Sequence, residues 1–272
     1  MSEKKVTPTP IFDMIEMLLK KEEPFALATV VSGDSAGSKL IVFPERFNGA
    51  EFEGSLGNKD LDRVVVRDAR GELMAGRSGV RRYGERGEAR EEKIQVFVES
   101  FTQPPQMLIF GAVDFTAALV KTSKILGYRV TVCDARQAFA TKQRFPLADE
   151  VLVEWPNKFL ERVGSELGPR DAICILTHDA KFDVPAIAAS VKTKAGYIGV
   201  MGSRKTHDDR LHRLKEYGVD QNSIDRLRSP IGLDLGARTP EETAISITAE
   251  IISLRTGRTS LALSDTNGSI HD

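Results

Sequence analysis

Apolar positions follow two different rhythms along the chain. Near the start, Ile11, Phe12, Ile15, Leu18 and Leu19 recur at helical spacing and stop near Pro24, which predicts one amphipathic helix. FALATVV (25–31), KLIVF (39–43) and KIQVFVESF (93–101) then read as strands. At Gln103–Gln106 the run QPPQ breaks the pattern, because adjacent prolines fix φ and remove two backbone donors, and a domain boundary is placed there.

Beyond the prolines the rhythm becomes regular. MLIFGA, YRVTVCDA, DEVLVEW, AICILTHD and AGYIGVMGS are short β-branched runs, and most are separated by segments of helical length near Phe115–Leu126, Lys158–Leu167, Val184–Val191 and Lys205–Tyr217. Such alternation predicts right-handed βαβ crossovers and a mostly parallel sheet. The last helix is signalled by Thr239-Pro240-Glu241-Glu242, an N-cap, a proline at the first helical position and a capping-box glutamate, with Ala244, Ile247, Ile251 and Leu254 along its core face. The expected organisation is α/β: a disordered start over 1–10, a smaller N-terminal α+β domain over 11–103, a Rossmann-like domain with a mostly parallel sheet over 104–258, and a disordered tail over 259–272.

Composition narrows the function classes. With 272 residues, 41% of them apolar, and a formal net charge of -1, the chain can bury real cores but lacks the basic excess that duplex nucleic acid demands, so no nucleic-acid partner is expected. No run approaches the roughly 18 apolar residues of a membrane span, and MSEKKVTPTP has no apolar signal-peptide core; no membrane partner and a cytoplasmic location are expected. Cys133 and Cys174 each lie inside an apolar run and read as buried strand thiols, and the histidines show no ligand spacing, so no metal site is expected. The segment Gly71–Arg90 brings Arg77, Arg81, Arg82 and Arg86 together. It reads either as a basic loop for an anion or, given the interleaved Glu72, Glu85 and Glu88, as a solvated, self-neutralising loop.

In a doubly wound sheet, ligands sit outside the carboxyl ends of the strands, so the residues that follow each apolar run are the candidates. They are Gly111 and Asp114; Asp134 and Arg136; Thr177 and His178; and Gly202, Ser203, Arg204 and Lys205. A dinucleotide fingerprint needs three glycines, but GAVDFT keeps only Gly111, with Val113 and Thr116 at the other two positions and Asp114 adding negative charge. Asp134 lies about 20 residues on, where an acidic residue would hold a ribose, so NAD(P) has one glycine and one aspartate in its favour. GSRK reads as an anion site at a helix start, or as a plain cap by Ser203. His178 reads as a titrating or donating group, with Asp183 to orient it, or as a hydrogen-bonded loop histidine. Arg136 either reaches an anion across the mouth or pairs with Asp134. No residue is assigned as catalytic.

The blocks LIFGAVDF, LGYRVTVCDAR, RFPLADEV, CILTHDAKFD, YIGVMGSRKT and SPIGLDLGARTPEETAISITAEII, in this order, resemble the XdhC/CoxI family of accessory proteins for molybdenum hydroxylases such as xanthine dehydrogenase and carbon monoxide dehydrogenase. The resemblance implies a Rossmann domain after a smaller N-terminal domain, and a non-catalytic, chaperone-like role: binding the molybdenum cofactor (molybdopterin) and handing it to an apo-hydroxylase. It places Ser203, Arg204 and Lys205 at the phosphate and Asp134, Arg136 or His178 at the pterin. The implied partner is the apo-hydroxylase; a cysteine desulfurase and a second copy of the chain are further candidate partners, and no motif locates an interface. Two departures stand out. GAVDFT replaces the family's Gly-Ala-Gly-His-Val-Gly turn, and FEGSLGNKDLD puts Lys59-Asp60 near the cysteine of the family's Gly-Ser-x-Gly-Gly-Cys-x-Glu motif. The alternatives are an NAD(P)-dependent oxidoreductase and a divergent interaction module without cofactor.

Overall fold

The computed structural model describes residues 10–88, 91, 93–177 and 179–267. These form two compact units, one ending at Gln103 and one beginning at Pro104.

The first unit runs α1 (Pro10–Lys20), β1 (Phe25–Ser32), β2 (Lys39–Phe47), β3 (Ala50–Ser55), α2 (Lys59–Ala75), β4 (Gly79–Tyr83) and β5 (Ile94–Phe101). Its strands form one antiparallel sheet in the order β3-β2-β1-β5-β4. The two-residue period of a strand sorts the side chains by face. Ala26, Ala28, Val30, Leu40 and Val42 pack with Leu61, Val65, Ala69 and Leu73 of α2, while Phe25, Ile41 and Phe43 pack with Leu18 of α1.

Part of the expected loop at Gly71–Arg90 is regular structure: Gly71–Ala75 complete α2, and Gly79–Tyr83 form β4. A glycine costs a helix about 1 kcal/mol relative to alanine, far less than the roughly 1.5–3 kcal/mol gained at each buried aliphatic side chain of α2. Gly71 itself sits on the exposed side, where an added Cβ would meet nothing within 4 Å. Two of the arginines there serve a carboxylate: Arg77 donates to Glu72 at 3.1 Å and Arg81 pairs with the same side chain. Ala89 and Arg90 lie outside the described residues.

The second unit contains β6 (Gln106–Phe110), α3 (Asp114–Ile125), β7 (Arg129–Cys133), β8 (Glu150–Leu152), α4 (Pro156–Val163), β9 (Ala172–Ile175), α5 (Ala180–Ser190), β10 (Tyr197–Val200), α6 (Arg204–Glu216), α7 (Gln221–Ile224), β11 (Leu227–Arg228) and α8 (Pro240–Thr256). All its strand pairs are parallel, in the order β11-β10-β9-β6-β7-β8. The fold is therefore α/β, with an antiparallel N-terminal sheet and a Rossmann-like parallel sheet. Apolar side chains fill both faces of the parallel sheet, which explains its unbroken hydrophobic runs: Met107, Ile109, Val130 and Val132 cluster with residues of α3 and α8, and Leu108, Phe110, Ile173 and Val200 with residues of α4, α5 and α6.

Cys133 and Cys174 are buried on β7 and β9, the two neighbours of β6. Burial pushes the Cys133 thiol up to about 12 and raises that of Cys174 as well, so both remain protonated. On α8 the capping box forms as the sequence predicts, and Ala244, Ile247 and Ile251 are buried, but Leu254 is 39% exposed rather than core. At 3.6 residues per turn it has rotated roughly 80° from Ala244, to the margin of the apolar stripe. Pro10 opens α1, residues 263–265 form a short 3-10 turn, and residues 1–9 and 268–272 lie outside the described set.

Candidate functional site

The chain moves one way from β6, to β7 and β8, and the other way from β9, so the sheet reverses direction between β6 and β9. The splayed connections at such a reversal leave a crevice at the carboxyl ends of the strands. Gly111 follows β6 there with φ +111, and a Cβ on it would lie 2.9 Å from Thr177 Cγ2 and 3.1 Å from Thr177 N, so only glycine lets the two turns meet.

The turn after Gly111 spends its amides internally. Ala112 N donates to Asp134 Oδ2 at 2.8 Å and Val113 N to Thr116 Oγ1 at 3.2 Å, while the Thr116 hydroxyl donates to Gly111 O at 2.5 Å. Asp134 is itself engaged: Arg136 donates to it from its backbone N at 2.9 Å, from Nε at 3.0 Å and from Nη2 at 2.8 Å. Burial alone would push the Asp134 carboxyl up, but the Arg136 side chain and the two backbone amides together hold it below the ordinary aspartate value. Asp114 projects into solvent, with Arg144 Nη2 at 3.8 Å.

Arg136 does not reach across the mouth. Its guanidinium lies over the Phe139 ring, 4.6 Å from the centroid, and Arg144 approaches the same ring at 5.7 Å while donating to Ala112 O at 3.0 Å. Phe139, 42% exposed, is thus an aromatic surface held by two cations. An aromatic pair stands where β8 and β9 run into their helices: Trp155, which precedes α4, and Phe182, in the first turn of α5, have ring centroids 4.9 Å apart, with Lys181 Nζ 5.3 Å from the Trp155 centroid.

Below the turns after β9 and β10 lies a buried polar chain. Thr177 donates to Asp183, Asp183 pairs with Arg210 at 3.1 Å, and Arg210 donates to Met201 O at 2.9 Å and to Ser229 Oγ at 3.3 Å. Both members of the ion pair are almost fully buried, at 3% and 4% exposure. Arg210 and Asp183 also line a cleft of about 170 Å³ with Thr206, Asp209 and Arg213. Above them Ser203 caps α6, accepting from Thr206 N at 3.2 Å, and Gly202 at φ +150 passes close over Arg210. Arg204 and Lys205 project from the first turn of α6, exposed and without an ion pair among the described residues.

Of the residues nominated from sequence, Gly111 and Thr177 touch across the crevice, Asp134 and Arg136 form a pair at its edge, and Gly202 joins the same level through Arg210. His178 lies outside the described residues. Phe139, Arg144, Trp155, Lys181 and Arg210 were not nominated. In the first unit, the turn Gly54-Ser55-Leu56 closes on Asp62, which accepts from Leu56 N at 2.7 Å and from Ser55 Oγ at 2.8 Å, and Lys59 opens α2 where a reactive thiol would gain acidity from the helix start. No cluster of three or more His, Cys, Asp or Glu that could hold a metal ion exists among the described residues.

Comparison with known proteins adds independent findings. The XdhC Rossmann domain matches residues 107–251, and the XdhC and CoxI family matches residues 18–84. The chain is 30% identical over 165 residues to a probable xanthine dehydrogenase subunit of Bacillus subtilis (strain 168), covering 61% of this chain and 47% of that protein. It is 26% identical over 259 residues to the protein YqeB of Escherichia coli (strain K12), covering 90% and 46%. It is 31% identical over 97 residues to the molybdenum cofactor insertion chaperone PaoD of the same organism, covering 36% and 30%. Each match thus spans less than half of the curated relative. A xanthine dehydrogenase from Bacillus halodurans shares the fold, with a TM-score of 0.54 at 22% identity over 91% of this chain and 96% of that one. With its Rossmann domain matched over more than half its length and its first unit matched as well, the chain belongs to the XdhC/CoxI family.

Proposed function

We propose that this chain is a maturation factor for a molybdenum hydroxylase, a carrier that binds the molybdenum cofactor and delivers it to the apo-enzyme. The relatives named as a molybdenum cofactor insertion chaperone and as part of a xanthine dehydrogenase support the role. The observation that carries it is the cationic and aromatic rim at the strand ends, Phe139 against Arg136 and Arg144, with Arg204 and Lys205 exposed on α6. A flat heterocycle bearing a phosphate presents the two groups such a rim recognises, a π face for the ring and guanidinium, and an anion for the lysine and arginine.

The donor set fits the organic part of the cofactor. Ser203, Arg204 and Lys205 would hold the phosphate, and Arg136 with Phe139 would flank the pterin; the bound cofactor supplies its own dithiolene grip on molybdenum. A thiolate from this chain does not fit, because both cysteines are buried and protonated. The oxidoreductase alternative is weakened by the turn at Gly111: its amides at Ala112 and Val113 and the carboxylate of Asp134 already have partners inside the protein, where a dinucleotide would need them for pyrophosphate and ribose.

The first unit supports a second, compatible reading. With Asp62 filling the turn at Gly54–Leu56 and no cysteine in it, the first unit offers the cofactor no thiolate, and docking of the hydroxylase is the role left to it in this reading.

The test is anaerobic purification from a host that makes molybdenum cofactor, followed by metal analysis and fluorescence of the oxidised pterin. Retained pterin that is lost in Arg204→Ala/Lys205→Ala is the expected result. Absence of pterin together with a rise in Tm on adding NAD or NADP would overturn it in favour of the oxidoreductase, since a ligand that prefers the native state must stabilise it. Absence of pterin with co-purification of a hydroxylase would leave the docking role alone.

A further inference from the structure

At the opposite end of the parallel sheet, where β7, β9 and β10 begin, lies a pocket of about 110 Å³ lined by Tyr128, Arg170, Asp171, Gly196, Leu254 and Arg255 among others. That volume exceeds several-fold what a single water requires. Tyr128 is 1% exposed, and its hydroxyl has no hydrogen-bond partner among the described residues, an arrangement that folded proteins rarely leave standing. Burial raises the Tyr128 hydroxyl above its ordinary value, so it stays protonated and is a donor. Burial also pulls the Arg170 guanidinium below its usual value, and the like charge of Arg255 adds to the pull while Asp171 opposes it. The Asp171 oxygens each already accept an amide, Oδ1 from Gln106 N at 2.7 Å and Oδ2 from Gly168 N at 2.6 Å. Arg255 makes no ion pair among the described residues. The lining thus holds one guanidinium, that of Arg255, with no ion pair among the described residues, and a buried hydroxyl with no partner among them.

We infer that this pocket binds a small tetrahedral oxyanion, with the Tyr128 hydroxyl donating to one oxygen and the Arg255 guanidinium to others. An anion there satisfies the orphan hydroxyl and gives Arg255 a counter-charge in one step. The site is separate from the mouth at the carboxyl ends of the strands and does not rest on the function proposed for that mouth.

The experiment measures Tm in inorganic phosphate against chloride at matched ionic strength, in an Arg204→Ala/Lys205→Ala background that removes the other anion site. Phosphate is expected to raise Tm saturably in that background, and the rise is expected to vanish when Tyr128→Phe or Arg255→Gln is added. Tyr128→Phe has a further signature: in chloride it is as stable as its parent or more so, because it removes an unsatisfied hydroxyl, and in phosphate it is less stable. A Tyr128→Phe variant that follows its parent's phosphate response, or that loses the same stability in both salts as it would on losing a bound water, would overturn the inference. An equal response to acetate would overturn the tetrahedral assignment.

Discussion

The turns after β6 and β10 start alike, a strand running into glycine and then a helix, and end as opposites. At Gly111 the close neighbour is Thr177, and the amides that follow are taken by Asp134 and Thr116. At Gly202 the close neighbour is Arg210, Ser203 caps the helix through its hydroxyl, and Arg204 and Lys205 are left facing outward. A glycine at a strand end therefore reports that something comes close. What comes close, and whether charge remains for a ligand, is set by side chains from elsewhere in the fold. In this protein the turn after β6 is a structural joint, and the exposed cations lie two strands along the sheet, at the turn after β10.

Four substitutions sharpen or break that contrast. Arg210→Ala removes the support under the second turn and takes the buried cation away from the Asp183 carboxylate, so a loss of about 3–5 kcal/mol is expected by chemical denaturation. Asp134→Asn loosens the first turn by weakening its charge-assisted hydrogen bonds, at about 1.5–3 kcal/mol. Because the folded Asp134 carboxyl lies below its ordinary value, its contribution is fully present above the unfolded value of about 3.9 and is lost as pH falls through the folded one. The gap between wild type and Asp134→Asn should accordingly be flat near neutrality and close in acid; a gap that widened in acid would refute the assignment. Gly111→Ala forces a Cβ against Thr177 at positive φ, with an expected cost of about 1–3 kcal/mol measured as a fall in denaturation midpoint. Arg204→Ala/Lys205→Ala should change stability by less than about 0.5 kcal/mol, since both side chains are exposed and unpaired among the described residues. A large loss from that pair would mean that they are structural, and the contrast between the two turns would collapse.

Local signals carried much of this structure. The capping box at Thr239–Glu242 and the βαβ rhythm after Pro105 are written in neighbouring residues, and both appear as read. The pairing of Arg136 with Asp134, one of two readings open in the sequence, is likewise local, two residues apart. Helix α2 was legible in principle, since Leu61, Val65, Ala69 and Leu73 recur every four residues, but its many charges and Gly71 concealed the stripe. The two-residue strand β11 has too little pattern to find. The unforeseen site residues depend on distance in sequence: Arg210 meets Asp183 across 27 positions and Arg144 meets Ala112 across 32. No spacing rule reaches that far, because those contacts exist only once the helices have packed on the sheet.

The burial of Cys133 and Cys174 gives the protein a built-in clock for its own opening. Both sulfurs lie in the strands that clasp β6, and neither is exposed or ionised in the folded state. A thiol reagent can modify them only during the moments when the centre of the parallel sheet comes apart, because the thiolate is the reactive form. The rate at which native protein takes up such a label is then a direct count of those moments, and a bound ligand that tightens the sheet would slow it.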